Sequence, residues 1–426
     1  MDRNSLLAFL LIAVIIFMMP EYYKLVYPPS PPTDTLIVDN EKRIKVVTPP
    51  VDKTTPPPSY DKPGEDATVF TVITNLYTAN ISSINGGSIA SFVLHNYALN
   101  DSESVELIDN NNINNLMVGF RSIDGDDVSL VGGWISNNDY DINVYDNETT
   151  VTFKKTIDDK QITKALTFYP DKYIVDVSVD LSAIQPWVSQ GVSTVHWSGG
   201  LPLTEPNKKD EQTYYQAMVF QGDETYSPKP KDPADARLER MDYPTDWVAI
   251  RTKYFITALV PKKQAPGSEV LAIEENGNRQ YDIGVFFNVD RPFFYTLYVG
   301  PLEYGRIKQL GNNLDQTMNF GWAFIRPISK AVHWFLLFLH NYIPNYGFVL
   351  LIFSVFIKIL VYPLTNKSYV STKKMQAIQP MLNDLREKHK NDQRKFAQAQ
   401  MALFKEHGVN PLSGCVPILL QMPLLF

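Results

Sequence analysis

Cysteine is almost absent from this chain: Cys415 stands alone among 426 residues. One thiol cannot close an internal disulfide framework, and it excludes a metal cluster built on several cysteines. Histidine is sparse as well, six in all. The two in the large middle region, His95 and His196, show no spacing that would bring them into one cleft with a tuned carboxylate. Small residues are missing after the first apolar run, Leu6 to Met19, which Pro20, Glu21, Tyr22, Tyr23 and Lys24 follow instead. That argues against a cleavable leader and for an uncleaved anchor with its N-terminus in the cytoplasm, Tyr22 and Tyr23 forming an interfacial belt. Charge, finally, is missing from Gly347 to Leu364 (GFVLLIFSVFIKILVYPL) except at Lys358.

These 18 residues would span roughly 27 Å as a helix, close to the hydrocarbon thickness of a bilayer. Thirteen apolar side chains at about −0.3 to −0.6 kcal/mol each outweigh a cost of about 2.5 to 3.5 kcal/mol for the lysine, so insertion is expected. Lipid offers an ammonium no hydrogen-bond partner. Lys358 either snorkels toward the nearer interface or faces a polar cavity. Ser354 lies one turn before it on the same stripe, which points to a wet groove.

The overall balance (44% hydrophobic, 20% charged, mean hydropathy −0.16) is that of a soluble protein, with the apolar runs gathered at the two ends. The net charge of −7 is uneven: Asn366 to Gly408 holds nine Lys/Arg against four acids, a net of +5 that leaves −12 for the rest. A basic stretch after a membrane span reads as cytoplasmic. Acids alternate with bases there and aromatics are few, so nucleic-acid recognition is not expected.

Seven segments follow. Residues 1–25 read as the transmembrane anchor. Residues 26–64, with ten prolines between Pro28 and Pro63, read as an extended tether. Residues 65–320 change to period two: Val175, Val177, Val179 and Leu181 alternate with Asp176, Ser178 and Asp180, and Ile283, Val285, Phe287 and Val289 recur at every second position, as do Phe293, Tyr295, Leu297 and Val299. Asn85-Gly86-Gly87, Asp124-Gly125 and Asn276-Gly277 supply turns, so the pattern predicts a large antiparallel β-sandwich. Residues 321–341 predict an amphipathic helix in the outer interface, anchored by Trp322 and Trp334. Residues 346–365 form the span with Lys358. Residues 366–408 predict a helical hairpin beginning after Pro363, with Met375, Ile378, Leu382 and Leu385 facing Phe396, Ala399 and Leu403 across a turn near Asn391-Asp392. Residues 409–426 begin another apolar run, as though the chain were the N-terminal part of a longer protein.

Together these motifs resemble the YidC family of membrane protein insertases. Gly347 to Thr365, with its mid-helix cation and Val361-Tyr362-Pro363-Leu364-Thr365, is similar to that family's first core helix. Met375, Gln379-Pro380 and Met401-Ala402-Leu403-Phe404-Lys405 resemble its cytoplasmic hairpin. Asn410-Pro411-Leu412-Ser413-Gly414-Cys415-Val416-Pro417 and Gln421-Met422-Pro423 resemble the entry to its next core helix, and Leu297-Tyr298-Val299-Gly300-Pro301 with Phe320-Gly321-Trp322 the end of the periplasmic domain of Gram-negative members.

The resemblance implies a multi-domain, multi-pass protein of the bacterial inner membrane: a periplasmic β-sandwich, transmembrane helices and a cytoplasmic helical hairpin. It implies insertion of nascent membrane proteins through a hydrophilic groove, alone or with the Sec translocon, with no catalytic residue, metal or cofactor. Lys358 and Ser354 would line the groove, and Met422 and Gln421 would touch the client helix. The hairpin, with Lys373, Lys374, Met375, Arg386 and Lys388, would receive clients from a ribosome or targeting factor. Where the family usually carries arginine, this chain has Lys358, which keeps the charge but loses the planar fork and can deprotonate when desolvated. Two other classes compete on the residues alone. One is a membrane-anchored carbohydrate-binding or epimerase-like sandwich; the other is a channel or transporter marked by the intramembrane lysine.

Overall fold

A computed structural model describes residues 67–100, 103–108, 115–230, 238–275, 277–318, 320–321, 325–390 and 392–408. The anchor, the tether, Trp322, Asn391, and the final run with Gln421 and Met422 lie outside the described residues.

Alternating apolar side chains draw the middle of the chain into three sheets. A five-stranded sheet runs in the order β4 (Glu103–Glu106), β3 (Ser88–Asn100), β2 (Tyr77–Ser82), β1 (Val69–Thr74) and β8 (Ile142–Val144), antiparallel except where β1 meets β8. A nine-stranded sheet begins β14 (Glu224–Tyr226), β13 (Gln216–Gln221), β16 (Thr245–Arg251), β17 (Phe255–Pro261) and β20 (Phe293–Pro301). It continues through β11 (Ile174–Asp180), β10 (Lys160–Phe168), β9 (Thr149–Ile157) and β7 (Ile135–Ser136). The third sheet has six strands: β15 (Leu238–Met241), β18 (Ser268–Glu275), β19 (Asn278–Asn288), β12 (Val188–Trp197), β5 (Asn115–Ser122) and β6 (Asp127–Ser129).

Register shows how the sheets stack. Phe153, Lys164, Val179 and Phe293 lie side by side across β9, β10, β11 and β20, and therefore share one face of the nine-stranded sheet. On that face Phe153 stacks against Phe70 of the five-stranded sheet, ring centroids 6.4 Å apart, and Phe293 against Phe287 of the six-stranded sheet at 4.4 Å. The two smaller sheets thus cover one side of the large one, and the buried valines, leucines and aromatics of all three fill the space between. The three alternating runs read from the sequence all lie in this core, every inward member of each being buried.

Lys164 sits where the three sheets meet. Alternation along β10 turns Ile162, Lys164, Leu166 and Phe168 inward, and the lysine is fully buried among them. Its Nζ donates to the carbonyl of Asn85, at the β2–β3 turn, at 3.0 Å and to the carbonyl of Leu116, on β5, at 2.6 Å. Both acceptors belong to residues with positive φ, 58° and 57°, whose backbone leaves the sheet ladder and needs another donor. Burial pushes the amine down to about 7. In the same turn Gly87 (φ 100°) presses on the core so closely that a Cβ would stand 2.7 Å from Phe153.

Beyond β20 the chain becomes helical. Helix α1 (Lys208–Tyr214) lies within the β region, α2 (Tyr304–Gln309) follows β20, and a 3-10 turn covers Leu314–Thr317. Then come α3 (Arg326–His340), α4 (Tyr346–Lys388) and α5 (Gln393–Glu406). The hairpin was expected to begin as a separate helix after Pro363. Instead α4 runs unbroken for 43 residues through Pro363 and Pro380, about 65 Å at 1.5 Å per residue. A proline removes one backbone donor but leaves the flanking hydrogen bonds in place, and near Pro363 the Thr365 hydroxyl donates to the Val361 carbonyl at 3.1 Å.

Candidate functional site

The start of α4 is set by Asn345, whose side chain accepts a hydrogen bond from the Gly347 N–H at 2.8 Å. From there Val349, Phe353, Ile357 and Val361 recur every fourth residue and are the less exposed positions of the apolar segment. They form the stripe turned to α3, where the Phe335 ring lies 6.2 Å from Phe353 and 4.6 Å from Phe356. The rest of the surface is bare: Phe348, Leu350, Leu351, Ile352, Val355, Ile359 and Leu360 are all exposed. Among the described residues one helix is long and apolar enough to cross a membrane, over Tyr346–Pro363. A core helix of a water-soluble domain would bury such a surface, and this one leaves nearly all of it open.

Ser354 and Lys358 stand one turn apart on the stripe next to the one that faces α3, and both are exposed. Among the described residues the Ser354 hydroxyl has no hydrogen bond, even to the preceding turn of its own helix, and nothing pairs with the Lys358 amine. The helix therefore presents an unused donor–acceptor and an unused cation side by side in an apolar field.

Lower on α4, Met375, Ile378, Leu382 and Leu385 are the less exposed positions, with Ile378 buried, and on α5 Phe396, Ala399 and Leu403 are likewise less exposed than their neighbours. Asp392 caps α5 by accepting from the N–H groups of Arg394 and Lys395, both at 3.1 Å. These bonds, that of Lys395 foremost, hold its carboxyl below the usual range. Lys373, Lys374, Arg386 and Lys388 are exposed. The packed seam leaves these bases to the outside.

The two middle histidines do not meet. His95 lies on β3 in the five-stranded sheet, its Nε2 2.9 Å from the Thr78 hydroxyl. His196 lies on β12 in the six-stranded sheet, with its Nδ1 3.5 Å from Glu269 on β18. Register places His196, Gly284 and Glu269 in one row, and the glycine leaves the space the carboxyl crosses: a Cβ there would stand 2.8 Å from Glu269 Cγ. Burial pushes Glu269 up to about 7 and His196 down to about 4. Alternation marks Glu269 only as an outward polar residue, so the pairing was missed; Lys164 could have been found, because it breaks an inward apolar register.

A cavity of about 400 Å³ opens beside β3, β17 and β20, lined among others by Tyr97, Lys253, Tyr254 and Glu303. Its polar groups are already engaged: Glu303 accepts from the Tyr97 hydroxyl and, at 2.7 Å, from Arg306, and Lys253 pairs with Asp210 at 2.8 Å. No described group of three or more His, Cys, Asp or Glu is placed to hold a metal.

Two family models match the chain, one described as the YidC periplasmic domain over residues 69–335 and one as the 60Kd inner membrane protein over residues 338–426. Among curated proteins, a membrane protein insertase YidC from Prosthecochloris aestuarii is 30% identical, covering 100% of this chain and 76% of that one. One of the same name from Chlorobium luteolum is 31% identical with the same shares. Among solved structures, a putative aldose 1-epimerase from Escherichia coli K12 aligns over 55% of this chain and 100% of its own at 9% identity, with a TM-score of 0.31. A superposition that loose says nothing about function.

Proposed function

This chain belongs to the membrane protein insertase YidC family, and from that premise we propose that Ser354 and Lys358 line a hydrated groove along which the polar end of a client crosses the bilayer. The protein inserts membrane proteins into the inner membrane, carries a large β-rich periplasmic domain, and is not an enzyme. What supports the groove is the exposed, unpartnered pair on an otherwise apolar helix.

The mechanism involves no covalent step. A hydrophobic client segment gains by entering lipid, but the short polar tail that must precede it loses its hydration. A water-lined cleft reaching partway through the bilayer shortens the dry path. Lys358 attracts acidic groups on the tail, and Ser354 offers a hydrogen bond one turn along. In this reading the client helix slides past Met422 and Gln421. The hairpin of residues 366–408, with Lys373, Lys374, Met375, Arg386 and Lys388, is cytoplasmic and receives clients from a ribosome or targeting factor. Residues 1–25 and 346–365 span the membrane, residues 26–64 tether the domain of residues 65–320, residues 321–341 lie in the outer interface, and residues 409–426 enter a further span. The protein acts alone or with the Sec translocon.

The test is insertion of a client with a short acidic outer tail in native membranes. Lys358→Glu replaces attraction by repulsion and is expected to slow insertion at least about tenfold, the effect of ~1.4 kcal/mol on a barrier. Lys358→Arg should retain the rate. Wild-type rates for Lys358→Glu would remove the groove role of the cation.

A further inference from the structure

The segment between β20 and α3 is fastened at both ends. On the sandwich side Ile307 and Leu314 are fully buried in the core. There the Trp247 Nε1–H donates to the Asn312 carbonyl at 2.9 Å, and the Arg251 guanidinium to the Thr317 carbonyl at 2.7 Å. On the helix side one lysine closes a box. Lys330, in the second turn of α3, places its Nζ 3.5 Å from Asp315, 5.3 Å from the Tyr304 ring centroid and 5.8 Å from that of Phe320. Tyr304 and Phe320 meet edge to face at 5.1 Å, His333 packs edge-on against both, and the Ser329 hydroxyl donates to the Phe320 carbonyl at 3.1 Å. A hydrogen bond with the Tyr304 hydroxyl, with Asp315 adding to it, raises the Lys330 amine and keeps it charged.

The far end of the same short helix touches the groove helix. Phe335, five residues beyond Lys330, packs on Phe353 and Phe356, which bracket Ser354. A continuous set of contacts therefore joins the sandwich core to the part of α4 that carries Ser354 and Lys358. A helix held only by its apolar face in a membrane interface is free to slide and turn about its axis. The box removes that freedom at one end and the Phe335 contacts pass the constraint on.

We propose that Lys330 is a positioning residue for insertion: by clamping α3 to the base of the sandwich it fixes where α4, and with it Ser354 and Lys358, stands. The inference rests on the groove reading for its effect on insertion, while the clamp itself is read separately by distance. The experiment uses the protein in liposomes of its native lipids, with Cys415→Ser and nitroxide labels at Tyr254→Cys and Tyr342→Cys, both exposed positions. Pulsed electron resonance on the parent should give one narrow distance. In Lys330→Ala, loss of a partly exposed cation–π contact and ion pair should lower the docked-to-undocked ratio by about three- to thirtyfold, broaden the distribution and slow insertion in step. Lys330→Arg, which keeps the charge and stacks on aromatic faces, should restore both. The thermal midpoint of the sandwich should not move, because the lysine side chain is 39% exposed. An unchanged distance distribution in Lys330→Ala overturns the clamp. A broadened distribution with wild-type insertion overturns its positioning role. Lys358→Glu in the same liposomes reports on the groove alone, so the two readings fail separately.

Discussion

Two lysines divide this molecule. Lys164 is buried at the meeting point of three sheets and donates hydrogen bonds to two carbonyls that the ladders leave over. Lys358 stands on an apolar helix with no partner among the described residues. In the β region the chain provides for its own polar groups, and the fold is specified by what lies inside it. In α4 almost nothing is inside: Val349 and Ile378 are its buried residues among those whose side chains are described. The helix is specified by its surroundings, lipid on the apolar faces and, in the proposed groove, water beside Ser354 and Lys358. A lysine in the first setting serves stability through the hydrogen bonds it donates, and in the second it serves function.

Exchanging each lysine for methionine is the most forceful way to break that comparison. Lys164→Met leaves two buried carbonyls without a donor and should cost on the order of 2 to 5 kcal/mol of sandwich stability, read by urea unfolding followed through tryptophan fluorescence. Lys358→Met should leave the same unfolding curve in place and slow insertion instead. A pH series sharpens the point. Because the folded amine lies at about 7 against 10.5 unfolded, the unfolded state holds more protons between those values. The wild-type sandwich should therefore gain stability as pH rises from about 7 to 10.5, and Lys164→Met should lose that slope.

A smaller effect is expected at the His196–Glu269 row, where two opposed dependences overlap. Glu269, raised from 4.5 to about 7, favours the folded state at low pH and gives that up as pH climbs through this window. His196, lowered from 6.5 to about 4, opposes folding at low pH and ceases to do so as pH climbs from about 4 to 6.5. The wild type should be nearly flat over this range. His196→Gln should become less stable with rising pH, and Glu269→Gln more stable. Parallel slopes in the two variants would show that the groups do not carry these shifts.

The smallest effect belongs to the hairpin. Ile378→Asp should separate α4 from α5 at a cost of about 1 to 3 kcal/mol. Hydrogen exchange in residues 393–406 should speed up while the sandwich strands stay protected. Faster exchange in both would mean that the two regions are not independent.

The degree to which these features were legible in the sequence follows the same division. Val175 to Leu181, Ile283 to Val289 and Phe293 to Val299 announce their inward faces because a strand alternates with period two. The turns at Asn85-Gly86-Gly87, Asp124-Gly125 and Gly277 are marked by residues that tolerate positive φ; Asn276 lies outside the described residues. The order of nine strands in the large sheet was not legible, since pairing between β11 and β20 depends on contacts more than a hundred residues apart. Nor was the passage of α4 through Pro363: the local rule for proline names the lost hydrogen bond but not the flanking apolar turns that carry the helix onward. At the candidate site, Ser354 and Lys358 stood out because lipid-compatible sequence makes any polar residue conspicuous, whereas nothing local in the amphipathic helix marks Lys330, whose partners Tyr304, Phe320 and Asp315 come from the segment before it.

The central claim is that one stripe of α4 is wet while its neighbours are in lipid. Single cysteines at positions 352, 354, 355, 358 and 359, in a Cys415→Ser background, can be tested in intact membranes with a water-soluble maleimide. Rapid labelling at 354 and 358 with protection at 352, 355 and 359 is the expected result. Protection at all five, or equal labelling at all five, would contradict a groove on this helix.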